Sequence, residues 1–399
     1  TSPWPVILQS DPKFHRRTYL SDFDPSPQVP VLHHRPKVLF ALMILFGSNL
    51  IAQAPPPMQS PPRYFFYNPL QTRGSDAAFS PLTLLLNGSF DALRIGNNGT
   101  RDLTIYHWRN DAQNIWNNIS DPFSSIRAFG WHEFVHQEIF NLNFDNNDVQ
   151  FIPNIADHTI GYGMQYAKIT EWYGAHGYPV PVLWGVGTSL IYQYVNEMMQ
   201  NGGGIYTNVD CVSDFDFFNI LGYALFSFDD VKRFFSETVQ LNDWSLQPLY
   251  VPHNHHLENT GQEFVLRYRL PFARQYAPFI CWGVNSVVGL GYRYDNSNSI
   301  SLGVGEAVTE MTIIHRGPYI SSAPQLHTAV GLYFDNAGSL LTSLIVRGGS
   351  STNMQLNVYP GLVSVLGVRP GCYLAIGGQE GFIFGVTFMG LPVSLGFER

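Results

Sequence analysis

From residue 261 to residue 399, apolar side chains alternate with small or polar ones, and this alternation constrains the fold more than any other feature of the chain. Successive side chains of a β-strand point to opposite faces, so a period of two predicts strands with one apolar face. In one such run Val288, Leu290 and Tyr292 alternate with Gly289 and Gly291. Similar runs occur at 264–270, 300–304, 326–334, 340–346, 354–358, 382–388 and 391–397. The pattern predicts an antiparallel sheet.

The composition of the two strand faces favours a transmembrane β-barrel over a soluble β-domain, which would show the same alternation. Residues 261–399 contain no lysine, their polar face carries mostly Gly, Ser, Asn and Arg, and the last run reaches Phe397. Outer-membrane barrels have strands of roughly ten residues with apolar side chains outward and small or polar ones inward. At that spacing the region holds about 8–10 strands. The segment Asp335-Asn336-Ala337-Gly338 predicts a tight hairpin turn between two of them.

The overall charge excludes two classes of protein. Only 13% of the 399 residues are charged, against roughly 25% in an average soluble chain, and 22 Lys and Arg face 30 Asp and Glu. A disordered or nucleic-acid-binding protein needs more charge than this, usually basic, so no nucleic acid partner is expected. Residues 55–260 hold 9 basic and 20 acidic residues. We expect that acidic region to face water or an envelope protein partner, and the alternating region to face outer-membrane lipid.

The first 54 residues have the pattern of a leader and signal peptide. Arg35 and Lys37 precede an apolar run at 38–51, and Ala52-Gln53-Ala54 supplies small residues at the positions that a signal peptidase reads. A short hydrophobic anchor is the alternative. A Pro-rich linker at 55–62 follows. The pattern predicts export through a signal peptide.

Residues 63–260 form a helical, aromatic and acidic region. Asp121 before Pro122 predicts a helix start, and the helix is expected to continue to Leu142. A second helix is expected at about 182–199, ended by the glycines at 202–204, and a third from Asp229. The predicted fold class is therefore α+β, with this helical region (63–260) before an antiparallel transmembrane barrel (261–399).

The chain resembles an uncharacterised family of Gram-negative outer-membrane proteins, in which a Trp-rich helical region precedes a β-barrel. The segments that carry the resemblance lie within residues 150–399: His158-Thr159-Ile160-Gly161-Tyr162-Gly163, Glu171-Trp172-Tyr173, Asn196-Glu197, the run 210–226 with Gly222, and Leu391-Pro392-Val393-Ser394-Leu395-Gly396-Phe397. The resemblance implies location in the outer membrane and no established activity.

One motif in the predicted helix from Asp121 is typical of a catalytic zinc site. His132-Glu133-Phe134-Val135-His136 is H-E-x-x-H, which on a helix lets His132 and His136 bind one Zn²⁺ while Glu133 acts as general base. The residues after His136 exclude the metzincin pattern. Glu197 is the leading third ligand, with Glu171 and His158 as alternatives. Without a metal, both histidines would form a polar stripe bonded to acids such as Asp157 or Glu171.

Other motifs support weaker hypotheses. The segment 255–261 faintly resembles the His and Asn-Gly neighbourhood of outer-membrane phospholipases but lacks the nucleophilic serine. Asp210, Asp214 and Asp216 do not have the spacing of a Ca²⁺ loop. The three cysteines are far apart and odd in number, so they predict neither a disulfide framework nor a metal cluster.

These observations favour an outer-membrane β-barrel protein with a structural, transport or assembly role in the envelope of a Gram-negative bacterium. Under this hypothesis the protein is not an enzyme and needs no cofactor. The alternative is a membrane-associated zinc metallohydrolase that uses the motif at 132–136, with zinc as its cofactor.

Overall fold

The computed structural model describes residues 64–91, 103–104, 106–140, 155–201, 209–316, 319–348, 352–377 and 381–399. The predicted leader and signal peptide (1–54), the Pro-rich linker (55–62) and the glycines at 202–204 lie outside the described residues. The described helices and strands confirm the α+β class.

Thirteen β-strands in the described residues belong to one sheet. Ten of them lie in the region predicted from the alternation, and three short ones precede residue 261, inside the region that was predicted to be helical. The strands are β1 (Leu241–Asp243), β2 (Leu249–Val251), β3 (His256–Glu258), β4 (Glu263–Arg267), β5 (Tyr276–Gly283), β6 (Asn285–Arg293), β7 (Asn298–Arg316), β8 (Tyr319–Asn336), β9 (Ser339–Arg347), β10 (Thr352–Val358), β11 (Pro370–Gly377), β12 (Gly381–Phe388) and β13 (Ser394–Glu398).

The strand order is β1-β4-β5-β6-β7-β8-β9-β10-β11-β12-β13-β2-β3, and every pairing is antiparallel except that of β13 with β2. The sheet is not closed by hydrogen bonds, because β1 and β3 are its two ends. Both ends belong to the segment 241–258. Residues 244–248 connect β1 to β2, so this linker spans at most about 22 Å between Asp243 and Leu249. The sheet therefore curves until its two ends are near each other.

The curvature encloses a core on the inner face. Trp244 is fully buried, its indole Nε1 donates to the carbonyl oxygen of Gly338 at 2.8 Å, and its ring packs against Tyr333 at 5.0 Å between centroids. The same cluster includes buried side chains of β4 to β9. The linker between β1 and β2 thus runs through the inside of the curved sheet.

Strands β7 and β8 extend well beyond their neighbours. They pair with each other from Asn298 and Asn336 to Arg316 and Tyr319. The described pairing with β6 ends at Ala307, and that with β9 begins at Ala329. The outer part of this hairpin is therefore a two-stranded ribbon, which we call the β7–β8 ribbon.

The predicted hairpin turn at 335–338 is confirmed between β8 and β9. Ala337 has φ +52° and Gly338 has φ +96°. Two successive residues with positive φ form the type of tight turn that matches the twist of the flanking strands.

The helical part consists of short helices around one long helix. They are α1 (Gly74–Ala78), α2 (Pro81–Ser89), α3 (Trp108–Ser120), α4 (Pro122–Phe129), α5 (Trp131–Phe134), α6 (Tyr162–Ala175), α7 (Pro181–Asn201), α8 (Asp210–Ser213), α9 (Asn219–Leu225) and α10 (Asp229–Arg233). Four π-helical turns adjoin them, at Val135–Ile139, Ile155–Gly161, Asp214–Phe218 and Phe234–Thr238. Helix α7 confirms the helix expected at 182–199. No helix among the described residues is both long and apolar enough to cross a membrane.

The single helix expected from Asp121 to Leu142 is broken. Asp121 caps α4 as predicted, because its carboxylate accepts from the backbone N–H of Ser124 at 3.3 Å. Gly130 then has φ +114°, which an α-helix does not allow, and α5 begins after it. Residues 141–142 lie outside the described part of the chain.

Helices α6 and α7 pack on the sheet through a shared apolar cluster. It joins Tyr162, Ile169 and Tyr192 of the helices to Phe264 and Trp282 of the sheet. The helical and sheet regions therefore share one core.

Candidate functional site

The H-E-x-x-H motif lies on the protein surface. The rings of His132 and His136 are 4.4 Å apart between centroids, which confirms that the two imidazoles share a helical face. The side chains of His132 and Glu133 are 78% and 51% exposed. His136 is exposed as well.

The predicted third ligands lie in other environments. Glu197 is buried on α7, within 4.8 Å of the carboxylates of Asp210 and Asp214. Glu171 accepts hydrogen bonds from the backbone N–H groups of residues 65, 66 and 67 at 2.8–3.0 Å. His158 contacts Asp214. Two groups of three metal-ligand side chains lie within 4.8 Å of one another in the described residues, and neither contains His132 or His136. The zinc site with Glu197 stays a prediction.

A second arrangement, which the sequence did not reveal, is a buried cluster of ionisable side chains among the helices. We define the acid cluster as Glu138, Glu197, Asp210, Asp214 and His158. The Nε2 atom of His158 lies 3.1 Å from a carboxylate oxygen of Asp214, and its Nδ1 lies 3.2 Å from the amide oxygen of Asn219. Glu197 and Asp214 are 3% and 4% exposed.

Three of the five members of the acid cluster lie in π-helical turns. Glu138 lies in the turn 135–139, His158 in 155–161 and Asp214 in 214–218. Each such turn inserts one extra residue into a helix, and π-turns occur frequently at functional sites. The extra residue shifts the direction of the side chains that follow it, which simple helical periodicity does not anticipate.

Burial and mutual repulsion favour the protonated carboxyl form in this cluster. The pKa of Asp214 is well above its usual value because of burial, the charges of Asp210 and Glu197, and a hydrogen bond with Glu197. The pKa of Glu138 is also raised, first by burial and then by Asp210. Burial lowers the pKa of His158 to about 4, although its hydrogen bond with Asn219 acts in the opposite direction. At neutral pH the imidazole is therefore uncharged, and the raised pKa values of the carboxyl groups favour their neutral form.

The expectation that the acidic region faces water or an envelope protein partner stays a prediction, and the acid cluster holds part of the acid of that region. Glu138, Glu197, Asp210 and Asp214 account for four of the 20 acidic residues at 55–260, and they lie inside the helical part. A sequence signal was present, since Asp210 and Asp214 are four residues apart and share a helical face. The fold adds Glu138 and Glu197 to that face from distant parts of the chain.

Charged and polar groups also line the inner face of the sheet. Arg267 on β4 donates to Asp335 on β8 at 2.7 Å, with both side chains buried. Arg347 on β9 donates to the side-chain oxygens of Asn285 at 2.9 Å and Gln355 at 3.0 Å. Paired and hydrogen-bonded charges of this kind can be buried at an acceptable free-energy cost.

A pocket lies at the junction of the helical part with the sheet. It has a volume of about 410 Å³ and lies where residues 64–71 meet α6 and β1. Lys168, Asp76 and Asn242 are among its lining residues. This pocket is lined mainly by polar atoms and belongs to the junction of the helical part with the sheet.

Comparison of the chain with protein-family models, with curated proteins and with solved structures finds no match. The resemblance to an outer-membrane family therefore stays a prediction.

Proposed function

We propose that the protein is an outer-membrane β-barrel protein with a structural or assembly role in the bacterial envelope. The observation that carries this proposal is the outer face of the sheet, where large apolar side chains are exposed. The inner face holds an apolar core together with buried charged side chains.

The exposed apolar side chains form continuous rows across the strands. Register pairing aligns valines of β6 to β9 in one row, and all four are 42–57% exposed: Val288, Val304, Val330 and Val346. The next row, two residues along each strand, contains only leucines from β6 to β11, of which the first two are exposed and the other four half-buried: Leu290, Leu302, Leu332, Leu344, Leu356 and Leu374. We call these rows the apolar belt. A continuous exposed surface of this kind is typical of contact with lipid or with a partner protein.

The inner face supports lipid rather than a protein partner as the neighbour of the belt. Barrels in the outer membrane place polar residues inside and alternate them with lipid-facing residues along each strand. Arg267, Asp335 and Arg347 occupy such inward positions. We infer that the segment 241–258, which pairs with β4 through β1 and with β13 through β2, brings the sheet into a closed barrel.

The filled interior favours a structural or assembly role over transport. Trp244, Tyr333 and Tyr359 pack together inside the curved sheet, and each is at most 1% exposed. Their aromatic rings occupy space that an open aqueous channel would need.

Membrane fractionation of cells that produce the full chain tests the location. We expect the protein in the outer-membrane fraction, and we expect its electrophoretic migration in detergent to change when the sample is heated. Recovery of the folded chain from the soluble periplasm would contradict the proposal. Ion conductance through planar bilayers would contradict the structural role and leave the location intact.

The second candidate function is the membrane-associated zinc hydrolase, with Glu133 as base and Glu197 as third ligand. The adjacent rings of His132 and His136 favour it. Metal analysis is the discriminating test, since a hydrolase of this kind loses bound zinc in the His132→Ala and His136→Ala variants. Unchanged metal content in both variants excludes it.

A further inference from the structure

A histidine-rich turn joins β2 to β3 at an end of the sheet. His253, His255 and His256 occur within four residues there, and Glu258 follows on β3. Short tracts rich in histidine are typical of metal binding. His256 and Glu258 are two residues apart on one strand, so their side chains project from the same face.

The last strand supplies a third metal-ligand side chain to this place. Strand β13 runs parallel to β2, so its final residues lie beside the turn that follows β2. The Nδ1 atom of His256 lies 3.1 Å from the Oε2 atom of Glu398. Ligand atoms of His256, Glu258 and Glu398 all lie within 4.8 Å of one another. Two side chains of β3 and one from the distant strand β13 therefore converge on one point.

The separation between His256 and Glu398 suits coordination of a single metal ion. Two ligand atoms that each lie about 2.0–2.1 Å from a tetrahedral Zn²⁺ are about 3.3 Å from each other. The observed separation of 3.1 Å between His256 and Glu398 is close to this value. One imidazole with two carboxylates is also a donor set that zinc accepts in proteins.

A neighbouring group orients one of the ligands, and the site is accessible to an ion from solvent. The side-chain amide of Asn254 donates to Glu398 Oε2 at 2.8 Å, which is the kind of hydrogen bond that positions a ligating carboxylate. The side chains of His256 and Glu398 are 26% and 14% exposed. An ion can therefore reach the group from solvent.

We propose that His256, Glu258 and Glu398 form a binding site for a divalent transition-metal ion of the zinc class. The bound ion links β13 to β3 across the intervening strand β2. The ion therefore stabilises the position of β13 relative to β3. The site is separate from the H-E-x-x-H motif, and it does not depend on the proposed location of the protein.

Zinc titration of the purified full-length protein in detergent, by chelator competition, tests this proposal. After removal of metal, we expect one Zn²⁺ per chain to bind at a site that involves these residues. His256→Ala and Glu398→Gln should each weaken this binding at least about tenfold. Glu398→Gln still accepts a hydrogen bond from Asn254, so it removes the carboxylate charge with little change in shape.

His107→Ala, which removes an exposed histidine outside this group, serves as the control and should keep the wild-type affinity. Cobalt substitution gives a second readout, because a protein site with imidazole and carboxylate ligands produces visible absorption bands that His256→Ala should abolish. Circular dichroism of each variant verifies that it folds. Absence of Zn²⁺ binding to the wild type, or unchanged affinity in folded Glu398→Gln, would overturn the proposal and identify the contact as a simple His–Glu pair.

Discussion

Lys168 shows how a single charge holds the helical part to the sheet. Its Nζ atom lies 2.7 Å from Asp76 and 3.6 Å from Asp243, and it lies over the ring of Phe79. The side chain is 2% exposed. Burial alone would lower the pKa of Lys168, but the two carboxylates outweigh that effect and raise it. The amine is therefore charged in the core.

We expect Lys168→Met to lower the free energy of unfolding by about 3–5 kcal/mol, because it leaves Asp76 and Asp243 without their buried counter-ion. Arg233 provides the control, because its guanidinium lies 2.6 Å from Asp230 and the two side chains are 46% and 92% exposed. Arg233→Met should cost less than about 1 kcal/mol. Thermal unfolding in detergent measures both variants, and equal losses would contradict the prediction.

The acid cluster predicts a stability that falls as pH rises above about 3.9. The folded-state pKa of Asp214 is raised above its unfolded value, so its contribution is complete below about pH 3.9 and is lost as pH rises through the folded pKa. Asp214→Asn mimics the protonated carboxyl group. The melting temperature of the variant relative to wild type should therefore increase as pH rises.

The contribution of His158 has the opposite sign and does not explain such a difference. Its lowered pKa gives stability above about pH 6.5 that is lost as pH falls through about 4, in wild type and variant alike. Asp230→Asn, at a carboxylate that is 92% exposed, is the control and should show no pH-dependent difference. The same pH profile for Asp214→Asn and wild type would contradict the prediction.

At the scale of single elements, the turn between β8 and β9 contains a glycine at which backbone strain and steric crowding can be measured apart. Gly338 and Gly390 both have positive φ, at +96° and +84°. An added Cβ at Gly338 would collide with the amide oxygen of Asn242 on β1, whereas nothing lies within 4 Å at Gly390. The two glycines thus differ only in their surroundings.

Gly390→Ala should cost about 1 kcal/mol, which is the backbone cost of a left-handed alanine. Gly338→Ala should cost more, about 2 kcal/mol, because the side chain of Asn242, which donates to the carbonyl oxygen of Gln240, must also move. Chemical denaturation of the two variants in parallel gives the comparison. Equal costs would show that the Asn242 side chain moves aside freely.

The strands were more predictable from sequence than the helices for a physical reason. Alternation is a local property, and it located β6, β8, β9 and the turn at 337–338 without knowledge of their partners. The acid cluster depends on π-helical turns and on contacts between residues as distant as Glu138 and Asp214. Gly130, which ends α4, is compatible with a helix in sequence and breaks it only through its φ angle. The third ligand of a zinc site at His132 and His136 would also come from a distant part of the chain, so the sequence alone does not identify it.

At the scale of the whole molecule, the apolar belt predicts how the protein responds to a charge. Leu302 is 57% exposed in the belt, and Leu183 is 68% exposed on helix α7. Arginine on a lipid-facing strand costs about 2–4 kcal/mol near the bilayer midplane. Leu302→Arg should therefore reduce folding into lipid vesicles, while Leu183→Arg should leave it unchanged. A belt that faces water would tolerate both substitutions.

The β7–β8 ribbon distinguishes one end of the sheet from the other. Within the described residues, the segments 308–316 and 319–327 pair only with each other. The outer edge of each segment therefore carries backbone N–H and C=O groups without a partner in the sheet. Hydrocarbon cannot satisfy such groups, whereas water can. In a membrane-spanning arrangement the ribbon, about 30 Å long, must therefore project into the aqueous phase. Under the proposed membrane location, the end of the sheet that carries the ribbon reaches farthest from the bilayer, so a protease added to one side of sealed vesicles would report which way the chain was inserted.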